Sequence, residues 1–195
     1  MKGTIVTSLL KSYMKEISDE NISLFLSCID LKEYPKDYVL IKEKTIAKDF
    51  FIVVSGIVGS YSKSKANDKE YIRALHDKGT IFTNISSLDK DNNSINYYKS
   101  LSSCTVFKGS YLDFIKLTTE NHQLSLLYNR IIEHSLLQSQ KRIDELSFMD
   151  ATERYKSLKN RFANIENLVP QYQIASYLNI TPVQLSRIRK KMYSV

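Results

Sequence analysis

QYQIASYLNITPVQLSRIRKK, residues 171–191, holds two helix signals separated by a stop. At helical spacing Ile174, Ala175 and Leu178 share one face, with Gln171, Gln173 and Ser176 on the other, the pattern of a short amphipathic helix. Asn179 interrupts it, because asparagine is second only to glycine in adopting the left-handed conformation in which helices end. Ile180 is the apolar residue placed to pack beneath the turn. Thr181 then offers an N-cap, and Pro182 sits at the first helical position, where its missing N–H costs nothing. Gln184, three residues after the cap, is placed to close a capping box. The second helix buries Leu185 and Ile188 and leaves Pro182, Val183, Ser186, Arg187 and Lys190 facing outward. With small Ala175 where two backbones must approach, the stretch reads as a helix-turn-helix. The plainer alternative is a helical hairpin with a basic, solvated end.

Four basic residues, Arg187, Arg189, Lys190 and Lys191, crowd the end of this stretch, and no acidic residue interrupts it. A guanidinium at Arg187 projects where it can donate twice to the O6/N7 edge of a guanine. Arg189, Lys190 and Lys191 suit phosphate contact. With Gln171, Thr181, Pro182, Val183, Gln184 and Ser186 they form the expected DNA-facing set. The net charge of +7 is concentrated at the same end. From Ala151 onward eight basic residues face only Glu153 and Glu166, which is +6 and leaves +1 for the first 150 residues. That asymmetry is the electrostatic footprint of a nucleic-acid-binding end on a neutral body.

Composition narrows the remaining classes. Hydrophobic content of 43% and charged content of 25% over 195 residues are those of an ordinary globular protein of one or two domains. No apolar run approaches the ~20 residues of a membrane span. The first residues lack a continuous apolar stretch and are followed by Lys11 and Lys15, so no signal peptide and a cytoplasmic location are expected. Cys28 and Cys104 form neither a CxxC pair nor a ligand cluster and read as buried free thiols.

Residues 1–30 read as helical, with Leu9, Leu10, Tyr13, Met14 and Ile17 on one side and Ser18 capping a second helix through Phe25, Leu26 and Ile29. From about Tyr34 the texture becomes β. DYVLIKEKT, DFFIVVSGIVGSYSKS, KEYIRALHDKGTIF and SCTVFKG are short, rich in β-branched and aromatic residues, and divided by turn formers such as Ser55-Gly56 and Lys78-Gly79. Seven or eight such strands argue an antiparallel barrel or sandwich. Residues 86–100 are polar and Asn-rich and read as a loop with a helical turn. From about Leu117 the period becomes 3.6. Leu124, Leu127, Ile131, Leu136 and Ile143 lie in one apolar arc on a helix of about 30 residues, wide enough to pair with a second chain. The alternative is that this helix lies across its own barrel. Residues 150–155 begin a further helix.

In this order and length the chain resembles the Crp/Fnr family of bacterial transcription regulators. The likeness rests on ISDENISLFLSCI, FFIVVSGIV, DKGTIF, ATERYKSL and IASYLNITPVQLSRIRKK, and the last two look most like the Bacteroidetes branch. It implies an α+β fold: a double-stranded β-helix, jelly-roll-like sensor domain with N-terminal helices (1–117), a long dimerisation helix (118–149) and a helix-turn-helix DNA-binding domain (150–195). It implies a homodimer on double-stranded DNA with a two-fold symmetric operator, RNA polymerase as a further partner, no membrane and no catalysis. Arg187 falls on the family's base-reading arginine. Pro182 and Val183 replace its polar pair, so the target sequence must differ, and no β-wing is expected after the second helix.

The effector site departs from the pattern. Cyclic-nucleotide-binding members carry Phe-Gly-Glu where this chain has Phe82-Thr83-Asn84, and an arginine for the cyclic phosphate near the place of Ser94. Only Lys99 stands nearby to compensate, and an unpaired phosphate in a partly dry pocket is costly. Cyclic AMP is therefore not expected. No cofactor is expected either, since an Fnr-type iron–sulfur cluster needs four cysteines, and the effector is left open. The competing reading is a small-molecule-binding module, cyclic nucleotides included, whose helix-turn-helix serves protein contact. A cupin-like enzyme is disfavoured because His76 is the only histidine of the β region.

Overall fold

The computed structural model describes residues 2–63, 70–87 and 96–193. Helix α1, Lys2–Tyr13, turns Val6 and Leu10 inward. Ser18 caps α2, Asp19–Ser27, by accepting from the Asn21 N–H at 3.3 Å. Ile29, expected on this helix, instead opens strand β1, Ile29–Tyr34, because residues 29–34 pair along their whole length with a later strand. The remaining strands are β2 (Val39–Ile41), β3 (Asp49–Ser55), β4 (Val58–Lys63), β5 (Glu70–His76), β6 (Ile81–Phe82), β7 (Asn96–Ser100) and β8 (Cys104–Ser110). Residues 86–100 are thus not all loop. A 3-10 turn at Ile85–Ser87 and strand β7 occupy its two described ends.

All described pairings are antiparallel and form two four-stranded sheets, β1-β8-β3-β6 and β2-β7-β4-β5. Their facing sides meet through Phe51, Val53, Phe82, Cys104 and Val106 from the first sheet and Ile41, Val58 and Tyr98 from the second. Strand β3 explains why strict alternation fails in DFFIVVS. Phe51 and Val53 face the inter-sheet core while Phe50 and Ile52 face the helices, so both sides are apolar. At Ser55-Gly56 the chain turns with Gly56 at φ +84°, and a Cβ there would lie 2.4 Å from the Ser103 carbonyl oxygen, so only glycine fits. Cys104 is buried and free, and Cys28 is free and half-buried.

After β8, helix α3 (Tyr111–Glu120) begins earlier than the periodicity suggested, capped by Ser110. Asn121 separates it from α4 (His122–Phe148): its Oδ1 accepts from the Leu124 N–H at 3.1 Å and its Nδ2 donates to Asn21 Oδ1 at 2.6 Å. Four helices follow, α5 (Ala151–Arg161), α6 (Ile165–Leu168), α7 (Gln171–Tyr177) and α8 (Pro182–Tyr193). Asp150 and Glu153 close a capping box at the start of α5.

Helix α4 has two halves with different fates. Leu124 and Leu127 are 0% exposed and Ile131 7%, packed with Val6, Leu10, Phe25, Phe50, Phe107 and Phe114 of their own chain. These three, expected in a seam between two chains, instead join α1–α3 in covering the outer face of the first sheet. Leu136 and Ile143 are exposed, at 60% and 61%. Leu127→Ala should therefore behave as a core cavity mutation of the single chain, lowering unfolding free energy by about 2–5 kcal/mol in a urea titration whatever the oligomeric state.

Candidate functional site

Residues 171–191 form two helices held at a fixed angle by their own turn. Asn179 takes φ +54°, the Ile180 N–H donates to the Ala175 carbonyl at 3.0 Å, and the Asn179 N–H donates to the Ser176 carbonyl at 3.1 Å. This pair of bonds is the Schellman stop, which satisfies carbonyls that a helix end would orphan. Across the turn the Thr181 N–H donates to Gln184 Oε1 at 2.9 Å and the Gln184 N–H to Thr181 Oγ1 at 3.1 Å. Leu185 is 0% exposed and, with Ile188 and Met192, seals a core with Tyr155, Leu158, Ile165, Ile174 and Leu178. Thr181, Pro182, Val183, Gln184, Ser186 and Arg187 are exposed along the outer face of α8, with Lys190 and Lys191 a turn beyond and Gln171 exposed at the start of α7.

Two expected surface residues lie elsewhere. Gln173 is 7% exposed, because the second face of α7 meets β5 rather than water. Arg189 is half-buried with its Nε 2.8 Å from Glu166 Oε1, so it is tied within its own domain. Burial would raise the Glu166 carboxyl, yet hydrogen bonds from Tyr155 and Lys159 and the Arg189 cation hold it below its ordinary range.

The docking of α7 on β5 is specific. The Ile72 N–H donates to Ser176 Oγ at 3.2 Å. Arg161 donates to the Leu75 carbonyl at 3.1 Å and pairs with Asp77 at 3.0 Å. Arg142 of α4 donates to the Tyr177 carbonyl, and its guanidinium lies 4.0 Å from the centre of the Tyr177 ring. Arg154 donates to the Leu178 carbonyl at 3.0 Å. Arg154, Lys159, Arg161 and Arg189 are thus bonded within the chain.

Inside the roll, Phe82 stacks on Phe51, Tyr98 and His76 with ring centres 5.4, 5.2 and 4.6 Å apart. Thr83 Oγ1 donates to the Asp49 carbonyl at 2.8 Å. Asn84 is 1% exposed, donating to the Asn96 carbonyl at 3.2 Å and accepting from Ser86 Oγ at 2.8 Å. Phe82, Thr83 and Asn84 therefore do line one cavity. Ser94 lies outside the described residues. Lys99 does not join them: the alternation of β7 sends it outward with Tyr97, to 3.7 Å from Asp37 and 5.3 Å from the Tyr61 ring centre. Arg73 does line the cavity, beside Lys78, Lys141, Arg142 and Arg161, and it donates to Asn96 Oδ1 at 3.1 Å. Strict alternation in EYIRALH hid it, placing Arg73 on the side of Leu75.

Residues 31–121 match the cyclic nucleotide-binding domain family. A comparison with curated proteins finds no match. Among solved structures the chain is similar to FixK2 from Bradyrhizobium japonicum, at 18% identity and TM-score 0.68 over 85% of each chain. It is similar to the c-di-GMP responsive global regulator CLP from Xanthomonas campestris, at 16% and 0.64 over 91% of this chain and 92% of that one. The catabolite activator protein of Thermus thermophilus aligns at 15% and 0.55 over 93% and 86%. At these identities the shared property is the fold. Among the described residues no helix is long and apolar enough to cross a membrane, and no three His, Cys, Asp or Glu side chains group as metal ligands.

His76 supplies a test of the cavity's dryness. Burial, aided by the Arg161 cation and opposed by Asp77, pushes its pKa from 6.5 down to about 4. Between those values the unfolded chain binds a proton that the folded chain refuses, so stability falls as pH drops through that window. The cost reaches about 2 kcal/mol near pH 5. Urea titrations at neutral pH and near pH 5 should show that gap, and His76→Gln should narrow it.

Proposed function

We propose that this protein is a homodimeric, sequence-specific DNA-binding transcriptional regulator, whose roll is a sensor without the cyclic-nucleotide phosphate site. The observation that carries the reading is the outer face of α8. Thr181, Pro182, Val183, Gln184, Ser186 and Arg187 are all exposed while Leu185, between them, is fully enclosed. A helix capped and seated in this way presents its N-terminal turns to a major groove, and its length suits that groove. Arg187 reads a base edge, and Lys190 and Lys191 meet phosphates. Arg189 is removed from that role by Glu166.

The second copy sits on the distal half of α4. Leu136, Ile143 and Leu146 are exposed at seven- and three-residue spacing, the row a paired helix would bury. In a two-fold dimer the half-sites lie about one helical turn of DNA apart.

Fluorescence anisotropy on a duplex selected from a random pool, and on its scramble, tests the DNA reading across a salt series. Arg187→Ala should cost roughly 1–3 kcal/mol per half-site on the selected duplex only. Lys191→Ala should weaken both duplexes alike and lower the salt slope by about one for each phosphate it no longer neutralises. A wild-type affinity insensitive to salt would rule DNA binding out. For the dimer, light scattering of a Leu136→Glu, Ile143→Glu variant should show monomer with an unchanged fold, because neither residue belongs to the chain's own core.

A further inference from the structure

The pairing of β4 with β5 runs Ser60 to Ala74 and then Tyr61 to Ile72, which leaves Arg73 without a partner across the ladder. A bulge of this kind adds one residue and re-aims the side chains around it. Here it lets Ile72 and Leu75, three positions apart, both pack against the C-terminal helices. Arg73 is the added residue, and it turns to the mouth of the roll, where Nη1 donates to Asn96 Oδ1. Polar side chains from four segments converge there. Ser62 Oγ donates to the same Asn96 oxygen at 2.5 Å, Asn96 Nδ2 donates to Ser86 Oγ at 3.1 Å, and Ser86 Oγ donates to Asn84.

Among the described residues no carboxylate lies within ion-pair distance of Arg73. Its guanidinium spends one nitrogen on Asn96, and the two-pronged edge that grips carboxylates and phosphates is otherwise unspent. Behind it the wall is aromatic, with Phe82 and Tyr98 nearly parallel at 7° and His76 stacked on Phe82. The Nε2 of His76 is buried with no hydrogen-bond partner among the described residues. Ser135, Gln138 and Ser139 of α4 line the same cavity, whose volume is about 1380 Å³. Of the cations lining this cavity, Arg142 and Arg161 are paired with Glu145 and Asp77, and Arg73 is the one placed at the polar cluster beside the rings. Apolar rings with a few convergent polar groups are the make-up of a small-molecule site.

We infer that the mouth of the roll binds a small aromatic anion, a ring bearing a carboxylate or phosphate, with Arg73 gripping the anion and the Phe82–Tyr98–His76 wall receiving the ring. This rests on the reading of the roll as a sensor and names its ligand class. It places the anion partner on β5, not at Ser94 or Lys99.

Thermal unfolding of the full chain with benzoate, with phenyl phosphate and with uncharged benzamide tests it. At ten times its dissociation constant an anion should raise Tm by roughly 3–6 °C, and benzamide should not. Which anion acts distinguishes carboxylate from phosphate recognition. Arg73→Gln should abolish the rise, and Lys99→Gln, on the outer face, should retain it. Arg73→Lys, which keeps the charge and loses the fork, should diminish it and decides the matter if Arg73→Gln fails to fold. No rise with either anion at millimolar concentration, or a rise undiminished in the Arg73 variants, overturns the inference. No DNA enters this measurement, so its failure is separate from that of the DNA-binding reading.

Discussion

Ile72 and Leu75 on β5, with Ile57, Tyr61, Tyr97 and Leu101 beside them, make the outer face of the second sheet as apolar as its inner one. A sheet face of that kind must be covered, since each large side chain on it is worth about 1.5–3 kcal/mol when taken out of water. In this chain the cover is the C-terminal helical part, and its core is continuous with that face through Tyr155, Leu158, Phe162 and Ile174. The position of α7, and through the turn at Asn179 the position of α8, follows from this contact. So does the tethering of two guanidinium groups, because Arg161 and Arg142 are recruited to bind carbonyls at the junction.

The edge position of β5 makes the docking possible. An edge strand has backbone groups without a ladder partner, a liability unless something covers them. The Ser176 hydroxyl takes the Ile72 N–H and Arg161 takes the Leu75 carbonyl, so the edge is closed by side chains of the helical part. The bulge at Arg73 makes the opposite face of the same strand different in kind. Outward it is apolar and packed, and inward it offers a cation, an amide network and a buried imidazole.

The first sheet is covered by a different device. Helices α1, α2 and α3 and the first half of α4 close over Phe50, Ile52 and Phe107, and Asn121 breaks the helical run so that α4 can cross at its own angle. Once past Ile131 the helix has no more sheet to cover. Its exposed Leu136, Ile143 and Leu146 are therefore left over after the fold of one chain is complete.

Local physics made the elements legible. The left-handed stop at Asn179, the capping box of Thr181 and Gln184, the Ser18 cap and the Ser55-Gly56 turn each depend on residues within a few positions of one another, and each is present as read. The α+β layout of roll, long helix and terminal helix pair was legible for the same reason. What the sequence could not express was which surfaces meet. Gln173 looks solvated in its own helix and is buried because β5 arrives from a hundred residues away. Leu124, Leu127 and Ile131 form the same arc as Leu136 and Ile143, and only the extent of the first sheet separates the two groups. Arg73 and Lys99 exchanged roles for a similar reason. The face a strand residue occupies has period two, and one bulge, set by what must pack on both sides of β5, shifts that parity where no local pattern records it.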